Sequence, residues 1–139
     1  MDVTEARRRF AAARVARLAT IGPRGPRIVP ITFAVVGDRI VTAVDHKPKT
    51  SRRLARLDDV RADPRVAILV DHWDDDDWTT LWWVRADGVA EIVTSGPRFD
   101  EAVAALVARY PQYAERPPAG PVIDVTVTRW RAWTAAESP

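Results

Sequence analysis

The sequence contains no cysteine, which excludes disulfides, thiol nucleophiles, thiolate-held metals and iron–sulfur ligation together. Histidine is nearly absent. The two that occur, His46 in a basic turn and His72 in an acidic one, stand beside no nucleophile-elbow motif, so no Ser-His-Asp or Cys-His arrangement can be assembled. Glycine is sparse, six in 139 residues, and without G-x-G-x-x-G or Walker sequences the usual nucleotide-binding folds fall away. No apolar run approaches membrane-spanning length, and the charged N-terminus, Met1 to Arg9, lacks the apolar core of a signal peptide. A cytoplasmic protein without membrane contact is the expectation. The formal net charge is only +2, and the pI of 9.5 reflects an arginine excess over a nearly balanced background, which gives little support for a nucleic-acid partner.

What is present is an ordinary globular composition, 47% apolar and 29% charged, of a length that suits one domain over residues 1–139. Val3, Ala6, Phe10 and Ala13 have helical spacing behind a partial capping box of Asp2 and Glu5, with Arg7 to Arg9 pointing largely away from the buried stripe. Val15 to Ile21 reads as a strand ended by Gly22-Pro23-Arg24-Gly25-Pro26. Arg27 to Val36 is a second strand, and after Gly37-Asp38 a third runs from Arg39 to Val44. Pro30 marks the second strand as an edge, a bulge or a mouth, since proline cannot donate to a ladder. A helix from about Thr50 to Ala62 buries Leu54, Leu57 and Val60 and stops at Asp63-Pro64. Arg65 to Val70 is an interior strand, and Thr79 to Thr94 is a long strand or hairpin with a bend at Asp87-Gly88. A helix beginning at Gly96-Pro97 carries Phe99, Val103, Leu106, Val107 and Tyr110 on one face. Residues 111–121, with four prolines, form a connector. Val122 to Trp133 closes the fold, with Ile123, Val125 and Val127 on one face and Asp124, Thr126 and Thr128 on the other. About six strands with short helices predict a mainly β protein, a small closed antiparallel barrel that removes its own edges.

Three stretches carry candidate chemistry. Of the 21 basic residues only Lys47 and Lys49 are lysines, and both directly precede Thr50 and Ser51 at a helix start. Unpaired N–H groups and the helix dipole there make a phosphate cradle one reading and a solvated turn the other. Asp71, His72 and Asp74 to Asp77 suggest a hard divalent ion, but four consecutive aspartates without a calcium-loop glycine read better as a solvated loop than as a metal site. Trp78, Trp82 and Trp83 are candidates for interface or ring-stacking. Trp82 and Trp83 are adjacent on a strand and face opposite ways, so one needs a partner, either a second subunit or a planar ligand. With no catalytic side-chain constellation, an enzyme built on this sequence would draw its chemistry from a bound cofactor.

Arg17-Leu18-Ala19-Thr20 before a Gly-Pro turn, Arg27-Ile28-Val29-Pro30-Ile31-Thr32-Phe33, Lys47-Pro48-Lys49, then Leu54 through Asp63-Pro64-Arg65-Val66 together resemble the flavin-binding split-barrel superfamily that contains pyridoxine 5′-phosphate oxidase. With Leu81-Trp82-Trp83-Val84-Arg85-Ala86-Asp87-Gly88 and Arg129-Trp130-Arg131-Ala132-Trp133, the order is similar to the small actinobacterial branch of PPOX-class F420-dependent oxidoreductases. The resemblance implies a six-stranded split β-barrel of the FMN-binding type and a homodimer with the cofactor, F420 or alternatively FMN, in a groove at the interface. It further implies that Arg27, Val29, Pro30, Ile31 and Thr32 line the ring and ribityl chain beside Thr42, Ala43 and Val44, while Lys47 and Lys49 with Thr50 or Ser51 hold the phosphate. The arginine-histidine substrate motif of pyridoxine phosphate oxidase is missing after Trp133, which counts against that enzyme's reaction. A non-catalytic carrier of a flavin or tetrapyrrole is the alternative from another class.

Overall fold

The computed structural model describes residues 1–44 and 51–137, with the backbone alone at 51–54. Lys47, Lys49 and Thr50 therefore lie outside the described residues, as do the side chains of Ser51 and Leu54. Seven strands make one sheet: β1 (Ala16–Gly22), β2 (Gly25–Ile31), β3 (Ala34–Val36), β4 (Arg39–Ala43), β5 (Arg65–His72), β6 (Trp82–Val93) and β7 (Val122–Thr134). Four helices accompany them, α1 (Val3–Ala12), α2 (Ser51–Ala62), α3 (Pro97–Arg109) and α4 (Pro111–Glu115). The strand order is β2-β1-β5-β6-β7-β4-β3, and every pairing is antiparallel. Among the described residues no helix is long and apolar enough to cross a membrane.

The strand count corrects the expectation of six. The stretch Arg27 to Val36 is two strands, because the chain changes partner at Thr32-Phe33: Ile31 still pairs with Ala16 on β1, whereas Ala34 pairs with Val41 on β4. A side chain causes the break. The Tyr110 hydroxyl accepts from the Phe33 N–H (3.1 Å) and lies 3.0 Å from the Phe33 carbonyl, to which it can donate. Both main-chain groups that a ladder would use are thereby satisfied locally. Since β2 and β3 are the two outer strands of the sheet and only two residues join them, the sheet has to roll until its edges meet. Among the described residues no ladder connects those edges, so the closed six-stranded barrel expected from the sequence is instead a rolled seven-stranded sheet.

The rolled sheet encloses Leu18, Ile40, Ile68, Val70, Val84, Ile123 and Val125. Phe10 of α1 plugs this core, edge-on to Phe33 and to Trp130 at 5.2 Å each. Asp2 caps α1 through the Glu5 N–H (2.8 Å), but Glu5 pairs with Arg8 and Arg9 instead of reaching back to complete the box. Arg7 and Arg9 lie over the rings of Trp130 and Trp82, so they cover aromatic surface and do not point away as expected. A second cluster packs Ala102, Leu106 and Tyr110 on Ala34, Val41, Ala43 and Val122. It explains why Asp124, expected on the polar face of β7, is fully buried: α3 and its flanks cover that face, and Arg39 (2.6 Å) and Arg98 (3.0 Å) hold the carboxylate.

The connector 111–121 contains the short α4, which its prolines obscure, and a 3-10 turn at Trp78–Thr80 precedes β6. The bend at Asp87-Gly88 is a bulge inside one continuous strand. Asp87 pairs with Arg129 and Gly88 with Val127, and the extra residue, Thr128, donates its hydroxyl to the Asp87 carbonyl (3.1 Å). Here β6 approaches β7 so closely that a Cβ on Gly88 would stand 2.5 Å from the Thr126 carbonyl oxygen. Backbone cannot yield as a side chain can. Gly88→Ala is expected to destabilise the fold by about 1–3 kcal/mol, the usual cost of overpacking, read as a lowered urea midpoint with an unchanged slope.

Candidate functional site

Edge strand β2 alternates its side chains across the rolled sheet. Arg27, Val29 and Ile31 share the inner face with their partners Thr20, Leu18 and Ala16, while Ile28 and Pro30 turn outward. Ile31 is in the core, Val29 packs at its margin and Ile28 is 69% exposed. Among the described residues one side of the β2 main chain has no strand partner, and Pro30 fits there. Of the edge, bulge and mouth positions left open by Pro30, the structure shows the edge.

At the end of β2 the structure brings Thr32 and Thr42 together. The Thr42 hydroxyl donates to the Thr32 carbonyl (2.7 Å), and the Thr32 hydroxyl shares a hydrogen bond with the Tyr113 phenol (2.9 Å). Ala43 faces the other way, into the cluster beneath α3, while Val44 packs against the main core and donates its N–H to the Pro121 carbonyl (2.9 Å). Tyr113 was not read from the sequence; α4 places it here, and proline-rich composition gave no sign of that helix. Ser51 opens α2, a 12-residue helix, so Lys47, Lys49 and Thr50 immediately precede a helix N-terminus in the chain.

Arg27 sits at the opposite end of β2, and its partner was not read from the sequence either. Asp59 of α2, 2% exposed, takes hydrogen bonds on one carboxylate oxygen from Arg27 Nε (2.8 Å) and from the Thr20 hydroxyl (2.8 Å). Burial would raise the Asp59 carboxyl, but the Arg27 and Thr20 hydrogen bonds and the Arg27 charge outweigh it and hold the group below its ordinary 3.8. The hairpin register sets Thr20 against Arg27, so both donors meet the same carboxylate.

The outer face of the sheet carries a groove of about 740 Å³ walled by Ile28, Leu69, Trp73, Trp83 and Trp133. Trp83 pairs with Trp133 across β6 and β7, whereas its neighbour Trp82 packs against the core and stacks on His72 at 6.1 Å. The opposed directions of Trp82 and Trp83 follow the alternation expected of a strand, although Trp82 also reaches the groove lining. Trp133 was overlooked in sequence, though β7 parity puts it on the same face as Arg129 and Arg131. Trp78 is 62% exposed on the 3-10 turn, its ring 5.4 Å from that of Trp73. In the exposed acidic loop, Asp75 accepts from Trp73 Nε1 (3.3 Å), Asp74 from the Asp76 N–H (2.9 Å) and Asp77 from the Thr79 N–H (3.0 Å). Among the described residues no group of three or more carboxylates or histidines is arranged to hold a metal ion.

Residues 3–134 place this rolled antiparallel sheet in the pyridoxamine 5′-phosphate oxidase-like flavin-binding split-barrel superfamily. The chain belongs to the pyridoxamine 5′-phosphate oxidase family, whose model matches residues 3–134. Among solved structures it is similar to a conserved hypothetical protein, Rv2991, from Mycobacterium tuberculosis, with 26% identity, a TM-score of 0.77, and 97% of this chain and 86% of that one covered. It is also similar to a FAD-binding protein from Mesorhizobium loti (20% identity, TM-score 0.71, 95% and 92% covered) and to one from Mycobacterium smegmatis (19%, 0.65, 96% and 96%). No curated protein matches it.

The depressed carboxyl of Asp59 fixes a pH dependence. Because its folded value lies below the ordinary 3.8, the unfolded chain takes up the proton first as pH falls. The stabilisation is complete above 3.8 and is lost as pH drops through the lower folded value. Urea midpoints of the native protein should fall across that window, and those of Asp59→Asn should fall less steeply.

Proposed function

We propose that this protein is a homodimeric oxidoreductase that binds the deazaflavin F420 and passes hydride between it and an unsaturated or conjugated small molecule. Family membership supports a cofactor of the flavin type. The choice of F420 rests on the full-length motif order, from Arg17-Leu18-Ala19-Thr20 to Arg129-Trp130-Arg131-Ala132-Trp133, and its resemblance to the F420-dependent class. The observation that carries the reading is the junction at Thr32, where an unpaired strand edge and two threonine hydroxyls precede in sequence the Lys47–Ser51 stretch.

The residues fit such a cofactor. The free edge of β2 from Arg27 to Thr32, with Thr42, Ala43 and Val44, would orient the ring and ribityl chain through main-chain groups and hydroxyls. Lys47 and Lys49, with Thr50 or Ser51, would hold the phosphate at the start of α2, where backbone N–H groups and the helix dipole favour an anion. Bound there, the deazaflavin supplies the hydride-transfer chemistry. No side chain has to act as nucleophile, and the substrate can take its proton from water. A second reading keeps the fold and replaces F420 with FMN or FAD; the two structural neighbours named as FAD-binding favour it.

The homodimer reading rests on the outer groove. One face of an antiparallel sheet can be solvated, yet this one presents Trp73, Trp83, Trp133 and Ile28, the aromatic and aliphatic content of an interface core. A second copy covering it would bury all four.

Titrating the apo-protein with F420 and FMN tests the cofactor. Binding of F420 is expected, and none at concentrations on the order of tens of micromolar, a free energy near −6 kcal/mol, would sink the reading. Lys49→Ala should weaken cofactor affinity by about 1–3 kcal/mol, the loss of one charge-assisted hydrogen bond, and unchanged affinity would remove the phosphate assignment. In sedimentation, the native chain should run as a dimer and Trp83→Glu as a monomer of unchanged circular dichroism.

A further inference from the structure

Two carboxylates in the described residues are buried, those of Asp59 and Asp124. Asp124 ties three elements together, since Arg39 and Arg98 both reach it and each also binds a glutamate. Among the described residues Asp59 has a single cationic partner, Arg27, whose side chain is 36% exposed. Taking a carboxylate out of water is costly, and at Asp59 that cost is met by one half-exposed arginine, bonded through one nitrogen, and one hydroxyl.

Its surroundings fix it from several sides. Thr20 donates to the same oxygen that Arg27 uses, and the carboxylate lies so close to the Gly22 backbone that a Cβ there would overlap it. Held in this way, Asp59 grips Arg27 by Nε, the inner nitrogen of the guanidinium. Of the five N–H donors of an arginine, the four on the two terminal nitrogens make no hydrogen bond or ion pair among the described residues. A guanidinium bound by its inner nitrogen and fixed to a rigid hairpin presents its terminal fork in a defined direction.

We propose that Asp59 is a positioning residue: it holds Arg27 so that the terminal guanidinium nitrogens meet an oxygen acceptor of the bound cofactor. This rests on the reading of Arg27 as a cofactor contact. The acceptor chemistry is shared by the phosphate and by the ring carbonyls and ribityl hydroxyls. Asp59 lies eight residues into α2 from Ser51, about 12 Å along the axis at the helical rise. That offset separates Arg27 from the phosphate cradle at the helix start and favours the ring or ribityl end.

The test is a double-mutant cycle on cofactor affinity, followed by fluorescence with FMN, riboflavin and F420. Asp59→Asn keeps the size of the side chain and an acceptor for Thr20 but removes the charge that grips Arg27. It should lower affinity about tenfold, a loss of about 1.4 kcal/mol, with thermal unfolding still cooperative. Arg27→Ala should lose at least as much, and adding Asp59→Asn to it should change affinity little further. An equal loss for FMN and riboflavin assigns Arg27 to the ring or ribityl chain, and a loss for FMN alone assigns it to the phosphate; both support a positioning role. Should Asp59→Asn fold poorly, Thr20→Val removes one of the bonds that fix the same carboxylate and should give a smaller loss in the same direction. Native-like affinity in Asp59→Asn and Thr20→Val, or effects of Asp59→Asn and Arg27→Ala that simply add, overturns the proposal while leaving the cofactor reading intact. A native protein that binds none of the three ligands overturns both.

Discussion

The Tyr110 hydroxyl is the contact on which the rest of the structure depends. It sits between the Phe33 N–H and C=O and also reaches the Arg14 carbonyl at 3.0 Å, so its one proton serves two carbonyls in turn. By occupying the main-chain groups of Phe33 it stops β2, and the chain restarts as β3 against a different neighbour. Without that interruption a ten-residue strand could remain in one ladder and the sheet could stay open. With it, the first and last strands of the sheet are consecutive in the chain and the sheet must roll. Phe33, fixed at the break, then faces Phe10 and completes the core that the rolling creates. The open edge beside Thr32 is a direct consequence of the same hydroxyl.

Arginine supplies much of the remaining polar architecture. Arg109 reaches the carbonyls of Ala11 and Ala13, the orphan acceptors at the C-terminal end of α1, and its guanidinium lies 4.8 Å from the Phe33 ring. Arg14 answers from the other side, donating to the Arg109 carbonyl and lying over Tyr110. The ends of α1 and α3 are thereby clasped around the tyrosine that sets the strand break. Planar, multidentate arginine suits such work, whereas a lysine is a mobile point charge. That division of labour makes the confinement of both lysines to one short stretch of sequence more informative than their number.

Much of this architecture was legible in the sequence because it depends on local rules. Strand and helix positions follow from hydrophobic period and from Gly-Pro, Gly-Asp and Asp-Pro punctuation; Pro30 narrows β2 to an edge, a bulge or a mouth, and the opposition of Trp82 and Trp83 follows from strand parity. What was not legible depends on contacts between residues distant in the chain. Tyr110 looks like one more apolar position on the face of α3, and nothing near it in sequence says that its hydroxyl ends a strand 77 residues away. Asp124 obeys the alternation of β7 and would be solvated if α3 did not cover that face. Asp59 stands next to Asp58 in a charged helix, and only packing distinguishes the buried acid from the exposed one. Leu54, Lys47, Lys49 and Thr50 remain sequence assignments.

The outer face of the sheet shows how these levels constrain one another. A sheet face left to solvent carries alternating polar groups, and lone charges there would resist being covered, because burying an unpaired ion is costly. On this face the two arginines of the groove are already matched: Arg17 lies 3.4 Å from Asp71, and Arg85 donates to Asp87 at 2.7 Å. Between and beside those pairs lie Ala19, Ala67, Leu69, Trp83 and Trp133. Covering the groove would therefore desolvate paired charges and apolar surface together. That composition suits a surface a second copy of the chain can cover, and a C2 pairing would place the same groove on both sides of the contact. It also bears on the proposed cofactor, since Val29 and Ile31 of β2 face the core while Trp83 and Trp133 line the outer groove. A ring bound along the β2 edge of one copy can meet the tryptophans of the groove if those tryptophans belong to the other.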